Sequence, residues 1–388
     1  MTRPEYKMTE IGEIPEEWNI LPLTKLAKYI NGMAFKPSDW KKQGIPIVRI
    51  ENLNDSSAPF NYFDEEVDNK FLLNDGDILL SWSASLGVYI WNRGKAVLNQ
   101  HIFKVVPNET VNKYYLFWAL HNSVETLSKV THGSTMKHFQ KGELERTKIA
   151  LPSLSEQQKI AEVLSTADET IQKANEEITL TEKHKKGLMQ TLLTKGIGHT
   201  KFKITEIGEI PEEWCVKMIQ EYANVKYGRS NPKTKGTIPL IGSSGAFGTV
   251  GEALIPTPTI VIGRKGTAGA VWDIKTPSWP SDTSFYLEYK KEISQKFLFE
   301  FMSLNKLTGE NAKTTLPSVK KEEIEKFLFP LPPIIEQQKI AEILTAVDNK
   351  LELLGNKKAK LEKLKKGLMG DLLTGKIRVK LNTSKGED

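Results

Sequence analysis

The chain has 388 residues, of which 39% are hydrophobic and 26% charged, and its formal net charge is +6. This length accommodates two or three domains, and the composition is typical of a globular protein. The sequence contains no run of about 18 apolar residues, the length needed to span a membrane. The N-terminal residues lack the apolar core of a signal peptide. The single cysteine, Cys215, excludes a disulfide framework and a cysteine zinc site. We therefore expect a cytoplasmic protein whose positive charge permits, but does not require, nucleic-acid binding.

Three sequence motifs occur twice in the chain, in the same order each time. The repetition divides the chain into two repeat units, at about 9–203 and 205–381. The first copies are Thr-Glu-Ile-Gly-Glu-Ile-Pro-Glu-Glu-Trp at 9–18, Leu-Pro-Ser-Leu-Ser-Glu-Gln-Gln-Lys-Ile-Ala-Glu at 151–162 and Lys-Lys-Gly-Leu-Met at 185–189, and the second copies begin at Thr205, Leu331 and Lys365. Segments 19–150 and 215–330, between the motifs, look almost unrelated, which predicts one frame holding two different insert domains.

The first insert reads as a mixed α/β segment. Short runs rich in β-branched and aromatic residues predict strands, and a longer apolar run predicts a helix. The predicted strands are 45–50, 77–81, 88–91 and 101–106, and the predicted helix is 114–120.

A long helix is predicted after the first insert. Leu-Pro at 151–152 marks its start, because proline is excluded from a helix interior, and Ser155 is the predicted N-cap. Apolar residues then recur about every 3.5 residues, which is typical of a coiled-coil seam. The predicted seam residues are Ile160, Leu164, Ala167, Ile171, Ala174, Ile178, Leu188 and Leu192.

The second insert and second helix follow the same plan. Strands are predicted at 238–241, 259–263, 270–272 and 284–289, with a helix at 297–302. The second seam contains Ile340, Leu344, Val347, Leu351, Leu354, Leu361, Leu368 and Leu372. Each long helix covers about 39 residues, or roughly 58 Å, and one apolar stripe of that length needs a partner. The other copy is the nearest partner, and a pseudo-two-fold repeat predicts antiparallel pairing that serves as a spacer; the alternative is a helix pair that only stabilises the fold.

The loops after several predicted strands carry side chains suited to nucleic acid. Arg and Lys match guanine edges, Asn and Gln match adenine edges, and Ser and Thr bind phosphates. Simpler interpretations remain: the Ser- and Gly-rich loops as ordinary turns, Trp82 or Trp91 as a core residue, and the lysine-rich tract 357–366 as a solvated helix face. The candidate DNA-binding residues are Ser81, Trp82, Ser83, Ser85, Asn99, Gln100, His101, Ser134, Lys137, His138, Lys141, Ser243, Ser244, Arg264, Lys265, Thr267, Asp282, Thr283, Lys313 and Thr314.

Motifs for catalysis are missing from the sequence. The glycine-rich run 263–269 lacks the lysine position of a P-loop, the histidines lack metal-ligand spacing, and there is no nucleophile elbow. The Asn/Asp-Pro-Pro-aromatic motif of amino-methyltransferases and a Gly-x-Gly motif for S-adenosylmethionine are also missing. We therefore expect no catalytic residue, no metal and no cofactor in this chain.

The three duplicated motifs closely resemble the specificity subunit of type I restriction-modification systems, over nearly the whole chain. The resemblance implies an α+β protein with two similar mixed α/β target-recognition domains, separated by two long helices that form an antiparallel coiled coil. The implied domains are target-recognition domain 1 at 1–150, a first helix at 151–198, target-recognition domain 2 at 199–330 and a second helix at 331–380.

The resemblance also implies a function and a set of partners. Each target-recognition domain would read one half of an asymmetric, split site on double-stranded DNA, and the two helices would dock methyltransferase subunits, two copies being expected. S-adenosylmethionine would bind to those subunits, and a motor-nuclease subunit would join the assembled complex. If the helices set the spacer, one extra heptad in each should lengthen it and leave both half-sites unchanged.

Two other classes of function stay open from the sequence. The chain could be an adaptor that binds proteins through two domains on a coiled coil, or an enzyme with a fused methyltransferase activity. Salt-sensitive, sequence-selective DNA binding separates the first from a specificity subunit, and binding of S-adenosylmethionine tests the second.

Overall fold

The computed structural model describes residues 5–83, 85–130, 141–305, 307 and 318–381. It divides into two compact units that do not follow chain order. The first unit contains residues 1–174 together with 357–388, and the second unit contains residues 175–356. Each unit therefore includes one insert and a part of both long helices.

In its described residues, the first unit contains twelve strands and four helices before the first long helix, which begins in this unit. Its sheets are joined by short connections, and two single 3-10 turns interrupt the loops. The strands are β1 (Tyr6–Thr9), β2 (Gly12–Pro15), β3 (Asn19–Pro22), β4 (Ala27–Asn31), β5 (Ile45–Val48), β6 (Asn61–Phe63), β7 (Leu72–Leu73), β8 (Ile78–Ser81), β9 (Gly87–Ile90), β10 (Ala96–Leu98), β11 (Ile102–Pro107) and β12 (Lys148–Leu151). The helices are α1 (Leu23–Leu26), α2 (Ile50–Asn54), α3 (Lys113–Val130), α4 (Lys141–Arg146) and α5 (Leu154–Lys195), which continues into the second unit.

The second unit repeats most of this order. Its strands are β13 (Phe202–Thr205), β14 (Gly208–Pro211), β15 (Cys215–Met218), β16 (Ala223–Tyr227), β17 (Ile238–Gly242), β18 (Gly245–Val250), β19 (Thr259–Gly263), β20 (Val271–Ile274), β21 (Trp279–Pro280), β22 (Ser284–Tyr289) and β23 (Leu328–Leu331). Its helices are α6 (Ile219–Tyr222), α7 (Gln295–Leu304), α8 (Lys321–Glu325) and α9 (Ile334–Leu372), whose C-terminal part belongs to the first unit. The strands and helices predicted in both inserts are confirmed, with ends that differ by a few residues, except that α3 continues ten residues beyond the predicted end at 120.

The two units share one sheet topology. The main sheet has the order β4-β11-β8-β9 in the first unit and β16-β22-β19-β20 in the second, with every neighbouring pair antiparallel. A second sheet contains one parallel pair in each unit, β5 with β10 and β17 with β21. The predicted internal repeat is therefore a repeat of structure as well as of sequence.

The two long helices pack antiparallel within each unit. In the first unit, Ile160 and Leu164 of α5 share a buried core with Met369 and Leu372 of α9. In the second unit, Leu193 near the end of α5 shares a core with residues near the start of α9. The predicted seam residues are all buried or half-buried: Ile160, Leu164, Ala174, Ile340, Leu344, Leu354 and Leu372 are buried, and Ala167, Ile171, Ile178, Leu188, Leu192, Val347, Leu351, Leu361 and Leu368 are half-buried.

Two lysines that interrupt the apolar seam, Lys185 and Lys365, each pair with an aspartate on the other helix. In the second unit, Lys185 of α5 lies 2.6 Å from Asp348 of α9. In the first unit, Lys365 of α9 pairs with Asp168 of α5 and lies over the Trp118 ring. The two ion pairs exchange the roles of α5 and α9, as the pseudo-two-fold repeat requires.

The start of α5 differs from the prediction. The N-cap prediction of Ser155 is wrong, because α5 already begins at Leu154 and the Glu156 N–H donates to the Ser153 hydroxyl at 3.4 Å. Ser153 directly follows the Leu-Pro pair, so the cap lies two residues earlier.

Candidate nucleic-acid interface

In the first unit, candidate residues meet at one end of the main sheet, where β8 ends and β11 begins. Ser81 closes β8 and donates a hydrogen bond from its hydroxyl to the Ser85 carbonyl at 2.5 Å. The Trp82 N–H donates to the His101 carbonyl at 3.0 Å, just before β11. We call this place, with its counterpart in the second unit, the sheet edge.

The Trp82 side chain is fixed by an aromatic and a polar contact. Its ring stacks on Phe103, with 5.8 Å between ring centroids, and lies 4.9 Å from the His101 ring. Its indole N–H donates to the Asn31 side-chain oxygen at 3.1 Å. Trp82 is half-buried, whereas Trp91 is 2% exposed and belongs to the core.

Two polar residues near Trp82, namely His101 and Asn99, have an unusual backbone conformation or an unpaired polar atom. His101 has a φ of 74°, the only positive φ of a non-glycine residue in the described part of the chain. Its Nδ1 and the Asn99 side-chain oxygen are buried, and neither has a hydrogen-bond partner among the described residues. A strained backbone and unpaired polar atoms at one loop are typical of a ligand-binding site.

In the second unit, Arg264 takes the place of Trp82. The Arg264 N–H donates to the Thr283 carbonyl at 2.9 Å, as the Trp82 N–H does to His101. The Arg264 guanidinium lies over the rings of Tyr227 and Phe285, at 5.1 and 5.9 Å from their centroids.

Strand pairing proves that these positions correspond. Phe103 pairs with Asn31 between β11 and β4, and Phe285 pairs with Tyr227 between β22 and β16. The bridges that follow, Met33 with Asn99 and Arg229 with Ser281, are both parallel.

A glycine allows the strands to approach closely at each sheet edge. A Cβ on Gly32 would lie 2.1 Å from the Asn99 carbonyl oxygen, and one on Gly228 would lie 2.0 Å from the Ser281 carbonyl oxygen. Both distances are far below van der Waals contact, so only glycine fits at this place in either unit.

The remaining candidates lie at different places. Ser243, in the turn between β17 and β18, donates its N–H to the Thr283 hydroxyl at 3.4 Å, which brings it to the sheet edge of the second unit. The Gln100 N–H donates to the Met33 carbonyl at 2.6 Å. Ser244, Lys265, Thr267 and Asp282 are exposed and Ser83 and Ser85 are half-buried, whereas Lys141 begins α4 and Ser134, Lys137, His138, Lys313 and Thr314 lie outside the described residues.

Sequence reasoning missed Asn31, Tyr227 and Arg229. Asn31 and Tyr227 are the last residues of β4 and β16, and Arg229 follows Gly228, the glycine of the close strand approach. Asn31-Gly32 and Tyr227-Gly228 share the 196-residue offset of the first motif (Thr9 to Thr205), and this shared offset is the signal that could have found them.

Other features of the described residues limit the chemistry. Burial raises the pKa of Tyr29, which packs against Phe103 at 6.0 Å, far above its usual range, so that this phenol stays neutral. Over the described part of the chain, no group of His, Cys, Asp or Glu side chains could hold a metal ion. Within the same residues, no helix is both long and apolar enough to cross a membrane.

The chain matches a family model described as "Type I restriction modification DNA specificity domain", at residues 15–182 and 199–363. It belongs to this family, and carries the domain twice. The same two segments contain the two sheet edges.

Individual relatives agree with this assignment. The chain is 31% identical over 405 residues to the type I restriction enzyme MjaVIII specificity subunit of Methanocaldococcus jannaschii, covering 95% of this chain and 94% of that protein. It is 31% identical to the putative MjaX specificity subunit of the same organism, covering 97% of each. Its fold is similar to the crystal structure of a type I restriction-modification S subunit from M. genitalium, with a TM-score of 0.62 at 16% identity over 96% of this chain and 99% of that one.

Proposed function

We propose that the chain selects the DNA sequence on which a type I restriction-modification complex acts, by reading an asymmetric split site with one unit for each half. The observation that carries this proposal is the pair of corresponding sheet edges. The same backbone contacts hold Trp82 in one unit and Arg264 in the other. A single fold with two different surfaces suits a site whose halves differ.

Direct readout fits the side chains at these edges. The first unit presents Asn31, Asn99 and Gln100, and amides pair with adenine edges in the major groove. The second unit presents arginine, lysine and hydroxyl side chains, which suit guanine edges and phosphates. A net charge of +6 supports attraction to DNA without replacing base-specific contacts.

The proposal assigns catalysis to other subunits. The relatives are named specificity subunits, and a structure with a TM-score of 0.54 to this chain comes from work on "complex assembly" of a type I system. Methyltransferase subunits would dock on α5 and α9, two copies per chain, and would bind S-adenosylmethionine; a motor-nuclease subunit would join through them. Exposed leucines on the long helices support docking there: Leu180 is 67%, Leu353 69% and Leu364 56% exposed.

The first experiment is selection from a random duplex library, using the full chain with its methyltransferase subunit. A split motif with a spacer of constant length is expected. Binding without sequence preference would contradict the proposal and favour a protein-binding adaptor.

A domain exchange makes the test specific to one half. Residues 19–150 are replaced by the corresponding insert of another specificity subunit, and the selection is repeated. One half of the motif should change and the other should persist. A change in both halves would contradict the assignment of one unit to each half-site.

A further inference from the structure

The two sheet edges differ in charge, position by position. In the second unit the edge carries Arg229, Arg264 and Lys265. The strand pairing and the shared backbone hydrogen bonds place Met33, Trp82 and Ser83 at the same positions of the first unit. The second edge also carries Asp282, at the position of Gln100, so its three cations leave it a net positive charge, whereas these positions of the first edge are neutral.

Arg264 is held ready to bind a ligand. Its guanidinium rests over the Tyr227 and Phe285 rings, and the exposed fraction of Tyr227 is 50%. Cation–π contacts of this kind restrict a long side chain before it binds, which lowers the entropy lost on binding. The only hydrogen bond that its guanidinium makes to the described residues is a long one, 3.4 Å from Nη1 to the Asp282 carbonyl, so most of the guanidinium donors remain available.

Building on the function proposed above, we infer that Arg264 is the residue that selects guanine in the half-site read by the second unit. A planar guanidinium donates two parallel hydrogen bonds to O6 and N7 of guanine, and no other base offers two acceptors with this geometry. Trp82, at the same place in the first unit, has one indole N–H, which Asn31 already accepts. At the corresponding position of the half-site read by the first unit, no arginine is therefore present to select a guanine.

Neighbouring groups favour a base contact over a phosphate contact. Arg264 is half-buried, while Lys265 beside it is exposed and is better placed for phosphate. Thr283 accepts the Arg264 N–H at its carbonyl, at 2.9 Å, and the Ser243 N–H at its hydroxyl, at 3.4 Å, so the backbone that carries the guanidinium is held in place.

The test repeats the library selection with Arg264→Gln, Arg264→Lys and the matched control Lys290→Gln. Lys290 directly follows β22, at the end opposite to Arg264, so its variant removes the same charge far from the sheet edge. Arg264→Gln should lose about 5- to 150-fold of the preference for guanine at one position, since that is the discrimination of one bidentate contact. Arg264→Lys should keep part of it, and Lys290→Gln should keep all of it.

Three outcomes separate the inference from the function on which it rests. If the wild-type chain selects a split motif and Arg264→Gln changes one guanine of one half-site, the inference holds. If the motif persists and Arg264→Gln only weakens binding to all sequences, with a shallower salt dependence, Arg264 contacts phosphate and the inference is wrong. If the wild-type chain selects no motif, the proposed function itself fails.

Discussion

The indole N–H of Trp18 donates a hydrogen bond to the Glu156 carboxylate at 3.1 Å, and Trp214 makes the same bond to Glu336 at 3.0 Å. Each bond joins the last residue of the Pro-Glu-Glu-Trp motif to the first residue of the Glu-Gln-Gln motif in the same unit. The next residue, Gln157 or Gln337, donates to the carbonyl of the proline that precedes each long helix, at 2.9 and 2.8 Å. The duplicated motifs thus provide the contacts that connect each insert to its long helix, and we call these contacts the joint.

Replacing Glu156 should destabilise the first unit more than replacing its counterpart, Glu336, destabilises the second unit. Glu156 is 2% exposed and also accepts from Arg378, whose Nη2 lies at 2.8 Å. Glu156→Gln removes the buried carboxylate of this pair and leaves Arg378 only Glu17, at 2.8 Å and 62% exposed, which we expect to lower the free energy of unfolding by about 2–3 kcal/mol. Glu336 instead accepts from His199 and the Ile197 N–H, so Glu336→Gln should cost only about 1–2 kcal/mol.

Calorimetric unfolding of both variants measures this difference. Glu162→Gln is the matched control, since Glu162 lies on the same helix but its side chain is 62% exposed. An effect of Glu156→Gln no larger than that of this control would contradict the structural role of the joint.

Glu300 should be the most sensitive carboxylate of the second unit. It is 1% exposed and contacts Lys296 at 2.5 Å and Lys185 at 3.4 Å. Asp348 completes the cluster: burial alone would raise the pKa of Asp348, but hydrogen bonds from the two lysines hold it below its usual range. Glu300→Gln should therefore cost about 3 kcal/mol of unfolding free energy, because two lysines lose a buried partner. Glu300→Gln should lose more unfolding free energy than Asp348→Asn. Chemical denaturation of both variants measures this difference, and a larger loss for Asp348→Asn would contradict the prediction.

His121 predicts a pH dependence in the first unit. Burial, and then the charge of Lys365, lowers the pKa of His121 below 6.5, with Glu125 and Asp168 opposing. The unfolded chain therefore binds this proton at a higher pH than the folded chain does, and stability is lost as the pH falls below about 6.5. The melting temperature of wild type relative to His121→Gln should fall between pH 7 and 5. A difference that is constant over this range would show that His121 does not titrate in this way.

The regular elements were predictable because their signals are local. The strand Thr259–Gly263 is a continuous buried apolar run, and the prediction gave its exact bounds. The antiparallel helix pairing followed from a seam that neither helix can bury alone. In both cases the spacing of apolar residues that gives the prediction lies within one continuous segment of the chain.

The sheet edge was only partly predictable, because its contacts depend on pairing between distant strands. Trp82 was a candidate, but its partner Asn31 lies 51 residues earlier and reaches it only through the register of β4 with β11. The lysines in the seam are a similar case: Lys365 belongs to the lysine-rich tract that the sequence allows as a solvated helix face, and only the pairing of α9 with α5 places it beside Asp168. The bases read by the two edges stay a prediction.

The positive φ of His101 should be detectable as strain. Only glycine adopts this backbone conformation without cost, so His101→Gly should be more stable than His101→Ala by about 1 kcal/mol. Thr283 is the matched control at the corresponding position, where φ is not positive. There the order should reverse, with Thr283→Gly less stable than Thr283→Ala. Thermal unfolding of the four variants measures both orders, and the same order at both positions would contradict the strain at His101.

The glycines at the sheet edges should not tolerate replacement by alanine, and each replacement should affect only the half-site that its own unit reads. Gly32→Ala pushes a Cβ into the carbonyl of Asn99, between β10 and β11, and displaces the end of β4, whereas Gly228→Ala does the same at Ser281 and displaces the end of β16. We expect each to destabilise its own unit by about 1–3 kcal/mol, as overpacking does, and to weaken selection of its own half-site while the other half persists. Gly355→Ala is the matched control: a Cβ there meets nothing within 4 Å, and alanine in the interior of α9 should add about 1 kcal/mol of stability. Library selection and thermal unfolding of the three variants measure both effects. If Gly32→Ala disturbed both half-sites equally, the first unit would not be an independent reader, because a displacement confined to β4 reaches only its own sheet.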